Sequence, residues 1–250
     1  MVQEQTTRRE RQREATYDEI LRAARGLLAG DEELSLRAVA AAMGMTAPAL
    51  YRYVASYQEL VDLVAFEVDK AATETFRAAA DTQPDDDPAA RLVCACVAFR
   101  QWALRNPREF GLVFANPVAD AGCIRREAVT ISTSGHLFTD LLYDVWVKYQ
   151  HPIPTLDDLP PAVREAVLEP LMPAKVERIP EAQRGLVWTY MQGWTQLYGV
   201  VALEVFGHMD PRVIESGEMF VDTIRNFAPR LSLDAELPRL VALMRERLAA

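Results

Sequence analysis

The stretch LSLRAVAAAMGMTAPALYRYVASYQ, residues 34–58, constrains the fold of this chain more than any other part of it. Its apolar residues recur at the spacing of a helix, stop at Gly44 and then resume. Since glycine adopts the left-handed backbone conformation without steric cost, Gly44 predicts a sharp turn between two short helices. Ser35 and Thr46 are residue types preferred at helix N-caps, and each stands where one of these helices would begin. The stretch therefore predicts a helix-turn-helix over residues 36–54.

Helical periodicity also dominates the rest of the chain. Ser56 and Glu59 form an S-x-x-E capping box, which predicts a helix from residue 56 to about Ala80. No segment shows the alternation of apolar and polar residues that is typical of a strand, so the predicted fold class is all-α. Further helices are predicted at residues 17–29, 89–106, 108–115, 123–150, 181–206, 211–227 and 237–248, with a shorter one near 162–168.

The acidic segment DTQPDDDP, residues 81–88, is bracketed by prolines and predicts a boundary between two domains. Residues 1–80 would form the helix-turn-helix domain with its connecting helix, and residues 81–250 a larger helical domain. Within the larger domain, residues 151–180 hold seven of the chain's 15 prolines, which predicts a long irregular connection. Connections of this length are more often functional or mobile than idle.

The predicted helix at residues 181–206 is apolar on nearly every side. Between Gly185 and Gly207 its only charged residue is Glu204. A helix that is hydrophobic all round must be covered all round. We therefore expect one face of this helix to meet the core of its own subunit and another to meet a partner. The predicted homodimer forms through the helices at residues 181–206 and 211–227.

Several classes of protein are excluded by what the sequence does not contain. No apolar run approaches the roughly 18 residues that span a bilayer, and the N-terminus lacks the apolar core of a secretory signal. No membrane association and a cytoplasmic location are expected. Cys94, Cys96 and Cys123 show no metal-ligand spacing with a histidine, so we expect packing cysteines, no metal and no cofactor. Without a nucleophile elbow or a phosphate loop, an enzyme is not expected.

The distribution of charge favours one DNA-facing patch. The chain has a formal net charge of -9, yet residues 34–58 contain Arg37 and Arg52 and no acidic residue. Residues 1–80 as a whole carry 10 basic and 13 acidic residues, which counts against this interpretation. The terminal segment, residues 1–15, holds four arginines and is either a frayed terminus or a flexible arm that lies against DNA.

The second helix of the helix-turn-helix has the residues that a recognition helix requires. Small residues near its start, Thr46, Ala47 and Ala49, would let it enter a major groove deeply. Arg52 could contact a guanine edge or a phosphate, and the hydroxyls of Tyr51 and Tyr53 could donate to phosphates. The alternative is an ordinary three-helix packing unit in which Tyr51 belongs to the core.

Residues 16–63 resemble the DNA-binding domain of the TetR (tetracycline-repressor-like) family of bacterial transcriptional regulators. The resemblance is carried by Ile20, Leu21 and Ala24 and by the run LSLRAVAAAMGMTAPALYRYVASYQEL. It implies an all-α homodimer with an N-terminal three-helix helix-turn-helix domain and a larger domain for ligand binding and dimerisation. Such proteins usually repress promoters and release a palindromic operator in double-stranded DNA when a small molecule binds.

Two positions depart from the pattern of this family. Tyr57 stands where the family usually has a lysine at the start of the fourth helix, so a phosphate contact there would rely on a hydroxyl. Tyr198 stands before Gly199 where a similar subgroup has a histidine. The predicted DNA-binding residues are Arg37, Thr46, Ala47, Ala49, Tyr51, Arg52, Tyr53 and Tyr57.

A surplus of aromatic residues on the later helices predicts a pocket for a largely apolar small-molecule effector. His136 and Gln192 could provide its polar anchor. A helical enzyme and a pure protein-interaction module are the alternatives to a regulator. The predicted pocket residues are Phe99, Trp102, Phe110, Phe114, Phe138, Tyr143, Trp188, Met191 and Trp194.

Overall fold

The computed structural model describes residues 7–30, 32–115 and 133–250 of the chain. Within these ranges the regular structure is entirely helical, which confirms the all-α fold class. None of the described helices is both long enough and apolar enough to cross a membrane. The α-helices are α1 (Arg8–Ala29), α2 (Leu36–Ala42), α3 (Ala47–Leu50), α4 (Tyr57–Ala80), α5 (Pro88–Arg105), α6 (Pro107–Phe114), α7 (Thr133–Tyr149), α8 (Pro161–Leu168), α9 (Gly185–Val205), α10 (Pro211–Ser216), α11 (Glu218–Phe227) and α12 (Leu237–Ala249).

The chain divides into two compact units, and the division falls inside α4 between Val68 and Asp69. The first unit contains the described residues up to Val68 together with those from Arg108 to Ala115. The second contains Asp69–Pro107 and the described residues from Thr133 onwards. The predicted domain boundary after Ala80 lies at the end of α4, 12 residues beyond this division.

The first unit is held together by a small apolar core beneath the helix-turn-helix. Ile20, Val39 and Leu50, from α1, α2 and α3, are completely buried. The apolar residues of α1, α2 and α3 repeat at helical spacing. One face of each helix therefore supplies the core. An ion pair between Arg25 and Glu109, 3.1 Å from nitrogen to oxygen, joins α6 to α1 in this unit.

The second unit contains a buried ion pair between α5 and α9. The side chain of Glu204 is fully buried and accepts two hydrogen bonds from Arg100, at 2.6 and 3.2 Å. Arg100 also donates to the carbonyl of Ile214 at 2.6 Å, and its guanidinium lies 5.6 Å from the ring centre of Phe220. Burial raises the pKa of the Glu204 carboxyl, and the hydrogen bonds from Arg100 oppose that rise.

The proline-rich connection packs against α7 and α9 of the second unit. The Thr139 hydroxyl of α7 donates to the carbonyl of Pro173 at 2.7 Å. Asp140, one residue further on, forms ion pairs with Lys175 and Arg178. The connection comes so close to the start of α9 that a Cβ added at Gly185 would lie 1.9 Å from the Pro154 carbonyl oxygen. Several contacts therefore fix the position of this segment.

Several of the predicted helices have different bounds in the structure, and α1 begins at Arg8, nine residues before its predicted start at Tyr17. The helix predicted to reach residue 54 ends at Leu50, because the following residues tighten into a turn in which the Tyr53 N–H bonds the Leu50 carbonyl at 2.8 Å. The single helix predicted at 211–227 is broken at Gly217, whose φ of +66° is left-handed. The described part of the helix predicted at 123–150 is α7, and residues 123–132 lie outside the described residues.

Two of the three cysteines can be placed. Cys94 and Cys96 are both free and buried in α5. Burial raises the pKa of Cys94 and raises that of Cys96 to about 12, so neither thiol is activated for chemistry. Cys123 lies outside the described residues. Among the described residues there is no group of three or more His, Cys, Asp or Glu side chains that could hold a metal ion.

Candidate functional site

The turn of the helix-turn-helix forms as the sequence predicts. Gly44 has a left-handed φ of +65°, and the next N–H, that of Met45, donates to the Ala40 carbonyl at 2.8 Å. The hydroxyl of Ser35 accepts a hydrogen bond of 3.1 Å from the Ala38 N–H and so caps α2. The turn is completed within the four residues that separate α2 from α3.

The first turn of α3 presents small side chains to its surroundings. Thr46 is the N-cap of α3 and is exposed, and its hydroxyl makes no capping hydrogen bond. Ala47 and Ala49 are half-buried, and Pro48 between them is exposed. Because no long side chain stands on this turn, the helix end can come close to the base edges of a groove. The Thr46 hydroxyl is left to bond an external group.

Exposed tyrosine and arginine side chains follow directly after α3. Tyr51 is 51% exposed, and Arg52 is also exposed, as is Arg37 on α2. A tyrosine this exposed contradicts the alternative in which Tyr51 belongs to the core of a simple packing unit. The surface formed by Arg37, Thr46, Tyr51 and Arg52 is called the reading surface below.

Tyr53 has a more internal position than the other predicted DNA-binding residues. Its ring is half-buried and packs edge-to-face against Tyr17 of α1, with ring centres 6.0 Å apart. The Tyr17 hydroxyl donates to the Tyr53 carbonyl at 2.9 Å. Tyr17 therefore positions the turn after α3, a role that its apolar helical spacing did not reveal. The ring of Tyr53 therefore serves packing, independently of any contact that its hydroxyl makes.

The start of α4 is capped largely as predicted. The Glu59 N–H donates to the Ser56 hydroxyl at 3.1 Å, and the Glu59 carboxylate accepts from the Ala55 N–H at 2.6 Å. Tyr57, the first residue of α4, is 43% exposed. The carboxylate that caps this end also places a negative charge there, which opposes the approach of a phosphate.

A cluster of aromatic rings fills part of the second unit. Phe76 is fully buried at its centre, with its ring 5.6 to 6.2 Å from three of the other rings. Trp194 and Tyr198 are stacked with ring centres 5.7 Å apart and are only half-buried. The six members, called the aromatic cluster below, are Phe76, Phe99, Trp102, Phe138, Trp194 and Tyr198.

The other predicted pocket residues lie outside this cluster. Phe110 and Phe114 form a ring pair in the first unit, with centres 5.3 Å apart. Tyr143 packs against Trp146 and under the guanidinium of Arg178, which is 4.7 Å from its ring centre. Trp188 and Met191 are half-buried on α9. Phe76 and Tyr198 are the two cluster members that the sequence-based prediction of a pocket did not include.

The two predicted polar anchors differ in their surroundings. The Nδ1 atom of His136 is buried and has no hydrogen-bond partner among the residues that the structure describes. Gln192 is half-buried, and its side-chain oxygen accepts a long hydrogen bond of 3.5 Å from Arg230. A buried polar atom without a partner is costly, so His136 is the better candidate to bond a ligand.

The helix-turn-helix and the helical second unit are an arrangement typical of all-α, DNA-binding transcriptional regulators. Comparisons with known proteins identify the group within that class. Residues 92–227 match the family described as "Tetracyclin repressor-like, C-terminal domain". The chain belongs to the tetracycline-repressor-like (TetR) family, and it is a DNA-binding regulator. Members of this family are regulators and not enzymes, which excludes the all-α enzyme alternative.

Individual relatives agree with this assignment. The chain is 27% identical over 219 residues to the HTH-type transcriptional regulators Mb1846 of Mycobacterium bovis and Rv1816 of Mycobacterium tuberculosis. The match covers 87% of this chain and 86% of each relative. The crystal structure of a protein described as "putative regulatory protein SCO4313" has a similar fold, with a TM-score of 0.55 at 24% identity over 90% of this chain and 98% of the other.

Proposed function

We propose that this protein is a homodimeric repressor that binds a palindromic operator and is released from it by a small, largely apolar effector. The observation that carries the DNA-binding part is the reading surface, where Thr46, Tyr51 and Arg52 are all exposed next to a left-handed Gly44. This arrangement suits a helix that inserts its first turn into a major groove while the residues beyond it contact the backbone. Since its partner is chromosomal DNA, the proposed location is the cytoplasm.

The first test measures binding of the purified protein to DNA from upstream of its own gene, by fluorescence anisotropy at several salt concentrations. Replacing Arg52 by alanine is expected to raise Kd by about 10- to 100-fold, because one base or phosphate contact is typically worth about 1–3 kcal/mol. The exposed Arg77 near the end of α4 provides a control of the same charge, and Arg77→Ala should leave Kd unchanged. Equal effects of the two substitutions would show that Arg52 is not a specific contact.

A partner subunit is proposed to cover the exposed side of α9 and α11. Leu203 is 44% exposed near the end of α9, and Phe206 directly after α9 and Met219 on α11 are similarly exposed. These three apolar side chains lie on or beside the two helices that the sequence assigns to dimerisation. Large apolar side chains exposed together typically mark an interface.

Replacing Leu203 by glutamate is expected to weaken the dimer by at least about 100-fold, since burying an unpaired charge at an interface costs several kcal/mol. Val147 on α7 is 51% exposed and apolar, so Val147→Glu is the matched control that should leave the dimer intact. Light scattering during size-exclusion chromatography at several protein concentrations gives the oligomeric state. A Leu203→Glu protein that stays dimeric at the lowest concentration would place the interface elsewhere.

The effector is proposed to bind beside the aromatic cluster of the second unit. The half-buried ring of Trp194 lies 5.8 Å from the fully buried ring of Phe99 and stacks on the half-buried ring of Tyr198, which favours an apolar or aromatic ligand. The Nδ1 atom of His136, which has no hydrogen-bond partner among the described residues, is the proposed polar contact. Screening apolar compounds for loss of operator anisotropy tests this, with quenching of tryptophan fluorescence as an independent measure of binding.

A further inference from the structure

The N-terminal part of α1 carries four arginines, at positions 8, 9, 11 and 13, that lie outside the reading surface and the core. The sequence left open a frayed terminus or a flexible arm, but residues 8–15 are helical and form the first two turns of α1. The first completely buried residue of α1 is Ile20, twelve positions after Arg8. At 1.5 Å per residue, about 18 Å of exposed helix therefore precedes the core.

Two of these arginines continue the stripe of α1 that faces the core. The buried residues of α1 are Ile20, Ala24 and Leu27. Counting back in helical steps from this stripe leads to Arg13 and then to Arg9, so both arginines lie on the side of α1 that faces α2 and α3. Both are exposed, because the core does not extend this far.

A chain of contacts holds this side of α1 beside the reading surface. The Arg13 guanidinium donates to the Tyr17 hydroxyl at 3.2 Å and lies 5.7 Å from the centre of its ring. The Tyr17 hydroxyl in turn donates to the carbonyl of Tyr53, in the turn that follows α3. Arg13 is thus two hydrogen bonds away from the segment that carries Tyr51 and Arg52.

We propose that Arg9 and Arg13 form a second DNA-binding surface, which clamps the sugar-phosphate backbone beside the groove that α3 enters. The proposal rests on the DNA binding proposed above. In a chain with a net charge of -9, two cations that extend the reading surface supply attraction that Tyr57 does not supply at the start of α4. Because guanidinium groups bind phosphate without reading bases, this surface contributes affinity and no sequence specificity.

The sequence provides a matched control on the same two turns. Arg8 and Arg11 lie on the opposite side of α1 and are also exposed. The variants Arg9→Gln/Arg13→Gln and Arg8→Gln/Arg11→Gln therefore remove the same charge from the same short segment. Glutamine has nearly the helix propensity of arginine, so α1 should remain folded, and circular dichroism checks this.

The experiment measures Kd for the operator and for a scrambled duplex, across salt concentrations, for wild type and both double variants. Loss of two phosphate contacts per subunit, four per dimer, should raise Kd at least about tenfold for both duplexes and reduce the slope of log K against log salt by about four. The Arg8/Arg11 variant should behave like wild type. Equal weakening by the two double variants, or weakening of the operator alone, would overturn the proposed clamp. Failure of the wild type to bind any duplex would instead overturn the proposed function.

Discussion

Replacing Glu204 by alanine is expected to lower the free energy of unfolding by about 3–5 kcal/mol, the cost of leaving a buried charge without its partner. The charge left behind is that of Arg100, whose side chain is only 7% exposed. Its remaining contacts, the Ile214 carbonyl and the Phe220 ring, provide no counter-charge. Urea denaturation followed by circular dichroism, at one fixed protein concentration, measures the change.

A surface ion pair in the same unit provides the control for this substitution. Glu218 and Arg245 are 2.8 Å apart, and both side chains are about half exposed. Glu218→Ala should change the free energy of unfolding by less than about 1 kcal/mol, because water solvates the arginine that remains. Replacing both buried partners by apolar residues, Arg100→Met with Glu204→Leu, should recover most of the lost stability. If the single Glu204→Ala variant is as stable as wild type, the buried pair does not carry the energy assigned to it.

The second large effect is expected at Gly185, the first residue of α9. A Cβ at this position would lie 1.9 Å from the Pro154 carbonyl oxygen, a distance that no side-chain rearrangement relieves because the clashing atom belongs to the backbone. Gly185→Ala is therefore expected to destabilise the protein by about 3 kcal/mol, at the upper end of the range for overpacking. Thermal unfolding followed by circular dichroism measures the effect.

The same substitution at Gly26 in α1 is expected to have the opposite effect on stability. A Cβ there would meet nothing within 4 Å, so Gly26→Ala relieves the low helix propensity of glycine without a clash. We expect it to stabilise the protein by about 0.5–1 kcal/mol. The two alanine variants should therefore shift the midpoint of thermal unfolding in opposite directions. A Gly185→Ala protein that melts with wild type would mean that the connection around Pro154 moves away from α9 at little cost.

The elements that the sequence predicts well are those set by neighbouring residues. The left-handed Gly44 and the capping hydroxyl of Ser35 both act within a few positions, and both are found as expected. Breaks that depend on tertiary packing were missed, such as the left-handed Gly217 that divides a predicted single helix. Its hypothetical Cβ would meet the Leu248 side chain at 3.1 Å, a contact that no local pattern indicates.

Contacts between distant positions were beyond the reach of the sequence. Glu204 stands out as the only charge in an apolar helix, but nothing in the sequence connects it to Arg100, 104 positions earlier. Phe76 likewise has the helical spacing of an ordinary core residue, and only the fold places it at the centre of the aromatic cluster. Conversely, the aromatic surplus that suggested Phe110 and Phe114 as pocket residues could not distinguish the two compact units.

The N-terminus of α7 is capped by a carboxylate that belongs to another helix. Its first backbone N–H groups, those of Thr133 and Ser134, bond the carboxylate of Asp69 in α4, at 2.7 and 3.3 Å. An ordinary N-cap residue is next to the helix turn that it caps. The carboxylate at this helix end instead belongs to a residue 64 positions earlier in the chain. The first turn of α7 therefore gains its anion only when α4 is already in place. An isolated peptide of α7 would therefore fray at this end, because the carboxylate that caps it belongs to α4.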